Sequence, residues 1–249
     1  MRGSTVLVTG GSRGLGRMTA VGLAERGARV LVTSRAPDGP RDLAGAGCVP
    51  LHAELGTEAG CRALADAVAA RVGDDGLDVL INNAGTTIAA PLEAHDDAVW
   101  DAVVDLNLKA VFHLTRMLVP SLRAAARRRP PARVINIGSV SGLGVPRRDN
   151  YSYVASKGGM HHMTRHLALM LGPDVACNAI APGVFRTELS ERMPAEYTDT
   201  LLAGTPAGRM GTPDDLLGAI VYLASPAGSF LTGTVLALDG GMSLTTLGA

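Results

Sequence analysis

The sequence predicts an α/β chain in one domain spanning 1–249, doubly wound about a mostly parallel sheet of seven strands. Three observations carry that expectation. Seven short apolar runs recur, at 6–8, 30–33, 49–52, Val79–Asn82, 134–137, 175–180 and Val235–Leu238. Most are continuously apolar, as parallel strands covered on both faces require. Between them lie longer helical patterns, at 14–26, 58–71, 98–126, 153–171 and 214–224, and strand–helix alternation builds a doubly wound sheet. No repeat, low-complexity tract or linker divides the chain.

Hydrophobic residues make up 47 % and aromatics 3 %, so the core is expected to be aliphatic. The 23 basic and 23 acidic residues cancel, which argues against nucleic acid or an anionic membrane as partner. No apolar run approaches the roughly 18 residues of a membrane helix. A strand at the very start leaves no room for a signal peptide. Cys48, Cys61 and Cys177 have no metal or redox spacing and read as reduced, buried small hydrophobes. The expectation is a soluble cytoplasmic protein.

The first strand runs into Thr9-Gly10-Gly11-Ser12-Arg13-Gly14-Leu15-Gly16 and then a helix. Glycines there let the backbone turn tightly and approach a pyrophosphate, and the helix N-terminus supplies free N–H groups. The second strand ends in Thr33-Ser34-Arg35. A carboxylate at that point would bind a ribose 2′-hydroxyl; Arg35, with Arg13 in the loop, suits a 2′-phosphate, so NADP is favoured over NAD. Both arginines could instead be solvated surface groups. Asn82-Asn83-Ala84-Gly85 follows the fourth strand, where small residues let a cofactor lie against the strand end.

Only two of the basic residues are lysines, Lys109 and Lys157. Lys157 stands four positions after Tyr153, a spacing that stacks the two side chains on one helix face. A cation beside a phenol favours the phenolate, and a Tyr tuned in this way is a usable general acid or base. Tyr151, six before the lysine, is about 240° away around a helix and shares no face with it; Tyr153, at about 40°, does.

These motifs, with Asn107 in the long helix, Ser139 at the end of the fifth strand and Pro182-Gly183 after the sixth, occur in the order and spacing of a known family. The chain resembles the short-chain dehydrogenase/reductases over essentially its whole length, most closely the 3-oxoacyl-carrier-protein reductases, including the rhamnolipid-type ketoacyl reductases. The segments 132–139 and 231–241 and Gly208-Arg209-Met210-Gly211 contribute to that likeness.

The resemblance implies a Rossmann fold, NADP(H) as cofactor, and a ketone or acyl-thioester substrate. It implies that Ser139 binds the substrate carbonyl, Tyr153 protonates it, and Lys157 lowers the Tyr153 pKa and holds the nicotinamide ribose. Asn107 would hold a water that relays protons to Lys157. Gly10, Ser12, Gly14, Leu15 and Gly16 would line the pyrophosphate, with Asn83, Ala84, Gly85, Pro182 and Gly183 further along the cofactor. Phe185, through its backbone, and Thr187, through its hydroxyl, would contact the nicotinamide amide. Glu54-Leu55 stands where the family usually has Asp and an apolar residue beside the adenine.

A substrate lid is expected around 185–209, with a helical pattern from Thr187-Glu188-Leu189 broken by Pro194. The second irregular stretch, 141–150, carries Arg147 and Arg148, at the substrate mouth or in solvent. His161, His162 and His166 are expected at a helix-packing or subunit interface, with no metal, in a homotetramer. Arg127-Arg128-Arg129 ends the long helix, where cations suit the dipole; the other reading is a docking patch for an acidic acyl-carrier protein. An alcohol, sugar or steroid dehydrogenase working in the oxidising direction is the competing enzyme reading, and a non-catalytic NADP-binding regulator a third.

Overall fold

The computed structural model describes residues 1–36, 41–187 and 195–245. Seven strands form one sheet: β1 (Thr5–Val8), β2 (Arg29–Ser34), β3 (Cys48–His52), β4 (Val79–Asn82), β5 (Ala132–Ile137), β6 (Val175–Pro182) and β7 (Val235–Leu238). Their order is β3-β2-β1-β4-β5-β6-β7 and every pairing is parallel. The order reverses between β1 and β4, so the carboxyl ends of these two strands open a crevice.

Alternate residues of each strand enter different cores. Leu7, Leu31, Leu80 and Val134 pack with α3 (Glu58–Val72) and α5 (Ala110–Arg128). Val6, Val8, Val30, Val32, Ile81 and Ile135 pack on the other face with α1 (Gly14–Glu25) and α8 (Pro213–Ala224). That two-sided burial is why the strand sequences are continuously apolar.

Helix α8 starts at a capping box. The Thr212 hydroxyl accepts from Asp215 N, while Asp215 accepts from Thr212 N at 2.8 Å. Arg209 grips the same carboxylate at 2.6 and 3.0 Å and holds its pKa well below the usual range. Gly208-Arg209-Met210-Gly211 therefore secures the helix that packs on α1.

The structure revises several boundaries. The short helix α2 (Arg41–Gly45) and α7 (Ala195–Ala203) were not expected, and α6 (Tyr151–Leu171) begins two residues before Tyr153. The lid pattern at 188–194 lies outside the described residues. The long helix expected over 98–126 is α4 (Asp97–Val104) and α5 joined by a π-turn, Asp105–Lys109. Asn107 is the cause, because its amide is turned inward and bonded outside the helix. No described helix is long and apolar enough to cross a membrane.

Candidate active site

The glycine loop is built from behind. Thr9 Oγ1 accepts from Asn83 N and from Ala84 N, both at 3.0 Å. Asn83 Nδ2 donates to Thr9 O at 2.8 Å and to Gly10 O at 3.0 Å, and Gly10 N donates to Thr33 Oγ1 at 3.1 Å. Asn83 thus spends its amide on holding the loop. Gly10 has φ +66°, and a Cβ there would lie 2.8 Å from Ala84 Cα. A Cβ on Gly16 would lie 2.3 Å from Gly10 O. These glycines let the loop, β4 and α1 close on one another.

Helix α1 has no side-chain cap at Arg13 and no acid in its first turn. Its N–H groups and positive dipole end are thereby left for an anion. Ser12, Arg13 and Arg35 are exposed and Leu15 is half-buried. Arg35 directly follows β2, where the Ser34 hydroxyl is buried without a hydrogen-bond partner. An uncapped helix start, a tight glycine cradle and a buried free hydroxyl beside a cation fit a phosphorylated dinucleotide.

The two residues expected beside the adenine have unlike surroundings. Leu55 is buried in the core under α3, with its carbonyl near Cys61 Sγ, so its side chain has a packing role. Glu54 is exposed and lies 3.9 Å from His52.

At the far end, Pro182 closes β6, and Gly183 N donates to Leu238 O at 3.0 Å. The Phe185 ring is buried in the core and seated on Gly211, where a Cβ would come within 2.5 Å of it. The Phe185 ring is therefore committed to packing, which leaves its backbone for any contact with a ligand. Thr187 Cγ2 lies 3.9 Å from the point a Gly14 Cβ would occupy, which brings this segment back to the glycine loop.

Ser139 leaves β5 and caps a short 3-10 turn, Val140–Gly142, with Oγ accepting from Ser141 N at 3.1 Å. The Ser139 hydroxyl stands close enough to Tyr153 to favour its ionised form. Lys157 is buried, donates to Ile137 O at 2.8 Å, and lies 5.7 Å from the centre of the Tyr153 ring. Gly85 faces this group: a Cβ there would be 3.7 Å from Lys157 Nζ and 3.1 Å from Asn107 Oδ1.

Asn107 Oδ1 accepts from Thr86 N at 2.8 Å, and Nδ2 donates to Thr86 O at 2.9 Å and to Ser156 Oγ at 3.2 Å. The four expected side chains therefore converge at the carboxyl ends of β4 and β5. Tyr151 is turned away, and its hydroxyl donates to Asp149 at 3.0 Å.

The electrostatics depart from expectation. Burial raises the Tyr153 pKa, and only the Ser139 hydrogen bond opposes it. Burial also brings Lys157 down to about 8. Desolvation is the leading cause for both groups, because each loses water that stabilised its charge.

His161 is buried under this turn. A Cβ on Gly138 would meet its Nε2 at 2.1 Å, and one on Gly142 its Cε1 at 2.8 Å. Neither ring nitrogen completes a hydrogen bond, although the Gly142 carbonyl is near enough to offset part of the desolvation that lowers its pKa. His162 and His166 instead line an apolar groove of about 480 Å³ with Phe112, His113 and Met163, away from Ser139 and Tyr153.

Arg128 pairs with Asp75 at 3.3 Å and Arg129 reaches Ser4 Oγ at 3.4 Å, so these two cations serve the end of α5. Arg147 and Arg148 are exposed. Sequence reasoning quoted Thr9, Thr33 and His161 but gave these supporting roles neither to them nor to Ser156. Thr9 and Ser156 immediately precede the motifs they support, which was the available signal.

A nucleotide crevice that ends at a hydroxyl pair and a buried lysine defines an oxidoreductase on a doubly wound sheet. The family described as Enoyl-(Acyl carrier protein) reductase matches residues 10–243. The rhamnolipids biosynthesis 3-oxoacyl-[acyl-carrier-protein] reductase of Pseudomonas aeruginosa is 39 % identical over 98 % of each chain. The structure of the Pseudomonas aeruginosa RhlG/NADP active-site complex matches with a TM-score of 0.90 at 39 % identity, covering 98 % of this chain and 97 % of that one. A gluconate 5-dehydrogenase from Burkholderia cenocepacia, solved with NADP and tartrate, matches at 0.89 and 33 % identity, covering 99 % and 97 %. The chain belongs to the short-chain dehydrogenase/reductase family.

Proposed function

We propose that this protein is an NADPH-dependent carbonyl reductase that converts a ketone, of the 3-oxoacyl-thioester or polyketide-like class, to a secondary alcohol. The observation that carries the reading is the approach of the Ser139 and Tyr153 hydroxyls beside buried Lys157. Two hydroxyls at one point suit a carbonyl oxygen, one donating a hydrogen bond to its developing charge and the other giving it a proton. NADPH, when bound, supplies the hydride.

The raised Tyr153 pKa keeps the phenol protonated, which is the state a general acid needs at neutral pH. Lys157, cationic below about pH 8, supports the negative charge left on Tyr153 and is placed to hold the ribose. Asn107 and Gly85 keep the floor of the site narrow beside the lysine. Arg35 and Arg13 receive the 2′-phosphate, a reading supported by relatives solved with NADP. The exposed Phe112 in the groove along α5 and α6 supports a homotetramer, which light scattering tests.

The test is a panel of ketones, free thioesters and acyl-carrier-protein thioesters with NADPH against NADH, following nicotinamide absorbance. Tyr153→Phe should lose at least a hundredfold in turnover while still binding NADPH. Full turnover in that variant would remove the assignment. The likeness to a gluconate 5-dehydrogenase favours a second reading, oxidation of a polyol; NADP-dependent gluconate oxidation with no reduction of any thioester would establish it.

A further inference from the structure

The helix that carries Tyr153 and Lys157 has no cap of its own. Asn150 precedes it without a side-chain cap, and its first turn contains no acid. Asn150 Oδ1 is buried and finds no partner. The first-turn N–H of Ser152 is met from outside, by His95 Nε2 at 3.4 Å, and the Ser152 hydroxyl lies 2.9 Å from the same nitrogen. His95 stands 57 residues earlier, on the segment between β4 and α4.

A backbone N–H only donates, so the Ser152 N–H contact assigns Nε2 as acceptor and the proton of the neutral ring to Nδ1, a buried nitrogen without a hydrogen-bond partner among the described residues. The Ser152 hydroxyl then donates to Nε2 as well. Tyr151 stands edge-on to the imidazole at 5.4 Å and Trp100 at 6.2 Å, which fixes the ring plane. Ala90 N donates to Asp149 O at 2.9 Å, so the same segment is tied to the chain entering α6 at a second point.

We propose that His95 is a positioning residue for the reaction: as a neutral acceptor it caps α6 from a distance and holds Tyr153 at the depth where its hydroxyl meets the substrate oxygen. The inference rests on the reading of Tyr153 as general acid. Tyr153 follows Ser152 directly, in the turn where helices fray when their N–H groups go unmet. The crevice for the nucleotide is built mainly by β1, β2 and β4, and Lys157, the residue of α6 placed to hold the ribose, lies beyond the first turn and is anchored separately to Ile137 O at 2.8 Å. Loss of the cap should therefore lower turnover and leave cofactor affinity alone.

The experiment compares His95→Phe, which keeps a flat ring against Tyr151 and Trp100 but has no acceptor, with His95→Gln, whose amide oxygen reaches the position of Nε2. Turnover is measured on the best ketone of the panel, NADPH affinity by fluorescence titration, and exchange of the Ser152 amide by hydrogen–deuterium exchange. His95→Phe is expected to lower kcat about tenfold, with NADPH Kd within twofold and faster Ser152 exchange. His95→Gln is expected to recover most of kcat.

Unchanged kcat in His95→Phe overturns the proposal. So does an equal loss in both variants, which would mean ring packing alone, or a parallel loss of NADPH affinity, which would mean general destabilisation. A Tyr153→Phe variant that keeps its turnover removes the underlying reading instead. A dead Tyr153→Phe beside a fully active His95→Phe removes only this inference.

Discussion

Asn107 Nδ2 donates to Ser156 Oγ at 3.2 Å, and that hydroxyl donates to the carbonyl of Tyr153 at 2.8 Å. The π-turn is thereby joined to the helix that bears the acid and the lysine. The widened turn has a cost in backbone geometry, and it is held because Asn107 also closes a two-bond ring with Thr86. One buried amide fixes the segment after β4, the long helix and α6 relative to one another.

Asn107→Ala should break all three contacts and leave Thr86 N and O without these partners. The expected outcome is a stability loss of about 2–3 kcal/mol and a fall in kcat of about 10–100-fold. Urea unfolding and steady-state rates check it. A variant with normal rates would mean that the π-turn is maintained by backbone packing alone.

The pH dependence follows from Lys157. Its folded pKa, about 8, is below the ordinary 10.5. Below pH 8 the folded protein holds a buried cation at a cost on the order of 3 kcal/mol. Between about pH 8 and 10.5 the unfolded chain binds more protons at this group than the folded one, so this contribution to stability improves as pH rises. Activity moves the other way, because the lysine loses its charge. We expect kcat/KM for ketone reduction to fall above about pH 8, while the stability gap between Lys157→Met and the wild type narrows from pH 8 to 10. A gap that does not change with pH would contradict the burial argument.

The proposed reading gives Arg35 the choice of cofactor through one charge. R35E should raise the KM for NADPH by about 10–100-fold, the value of a charge-assisted phosphate contact. The KM for NADH should stay level or fall. Initial rates with both nucleotides test this, and equal responses would make Arg35 a solvated surface group.

Gly138 is small because His161 fills the space beside it. Gly138→Ala should cost about 1–3 kcal/mol and displace Ser139. Adding His161→Ala should return part of that loss, so the two changes should couple in a double-mutant cycle. Additive losses would show that the methyl group is accommodated elsewhere.

The sheet was legible because each strand announces itself locally, and all seven lie within two residues of the expected bounds. Tyr153 and Lys157 were legible for a related reason, their short spacing on one helix, whereas Ser139 at its strand end entered through the family resemblance. The turned-in amide of Asn107 was not, since nothing in Asp105–Lys109 breaks the helical pattern. Nor was the place of His161 or His95. Each is defined by neighbours far away in sequence, and a single histidine carries no periodicity. The upward pKa of Tyr153 was missed because pairing can be read from spacing, whereas burial depends on the whole fold.

A buried polar rung crosses the middle of the sheet. Asn82 Nδ2 donates to Thr115 Oγ1 at 3.2 Å and to Asn136 Oδ1 at 2.8 Å, and Asn136 Nδ2 donates to Thr164 Oγ1 at 2.9 Å. Asn82 and Asn136 are also register partners on β4 and β5. Apolar strands in oily surroundings would slide past one another with little penalty, but here a shift by one residue would strand two amides in the core. The rung works as an alignment pin, and because Asn83, which holds the glycine loop, follows β4 and Ser139 follows β5, it sets the gap between the two halves of the active site.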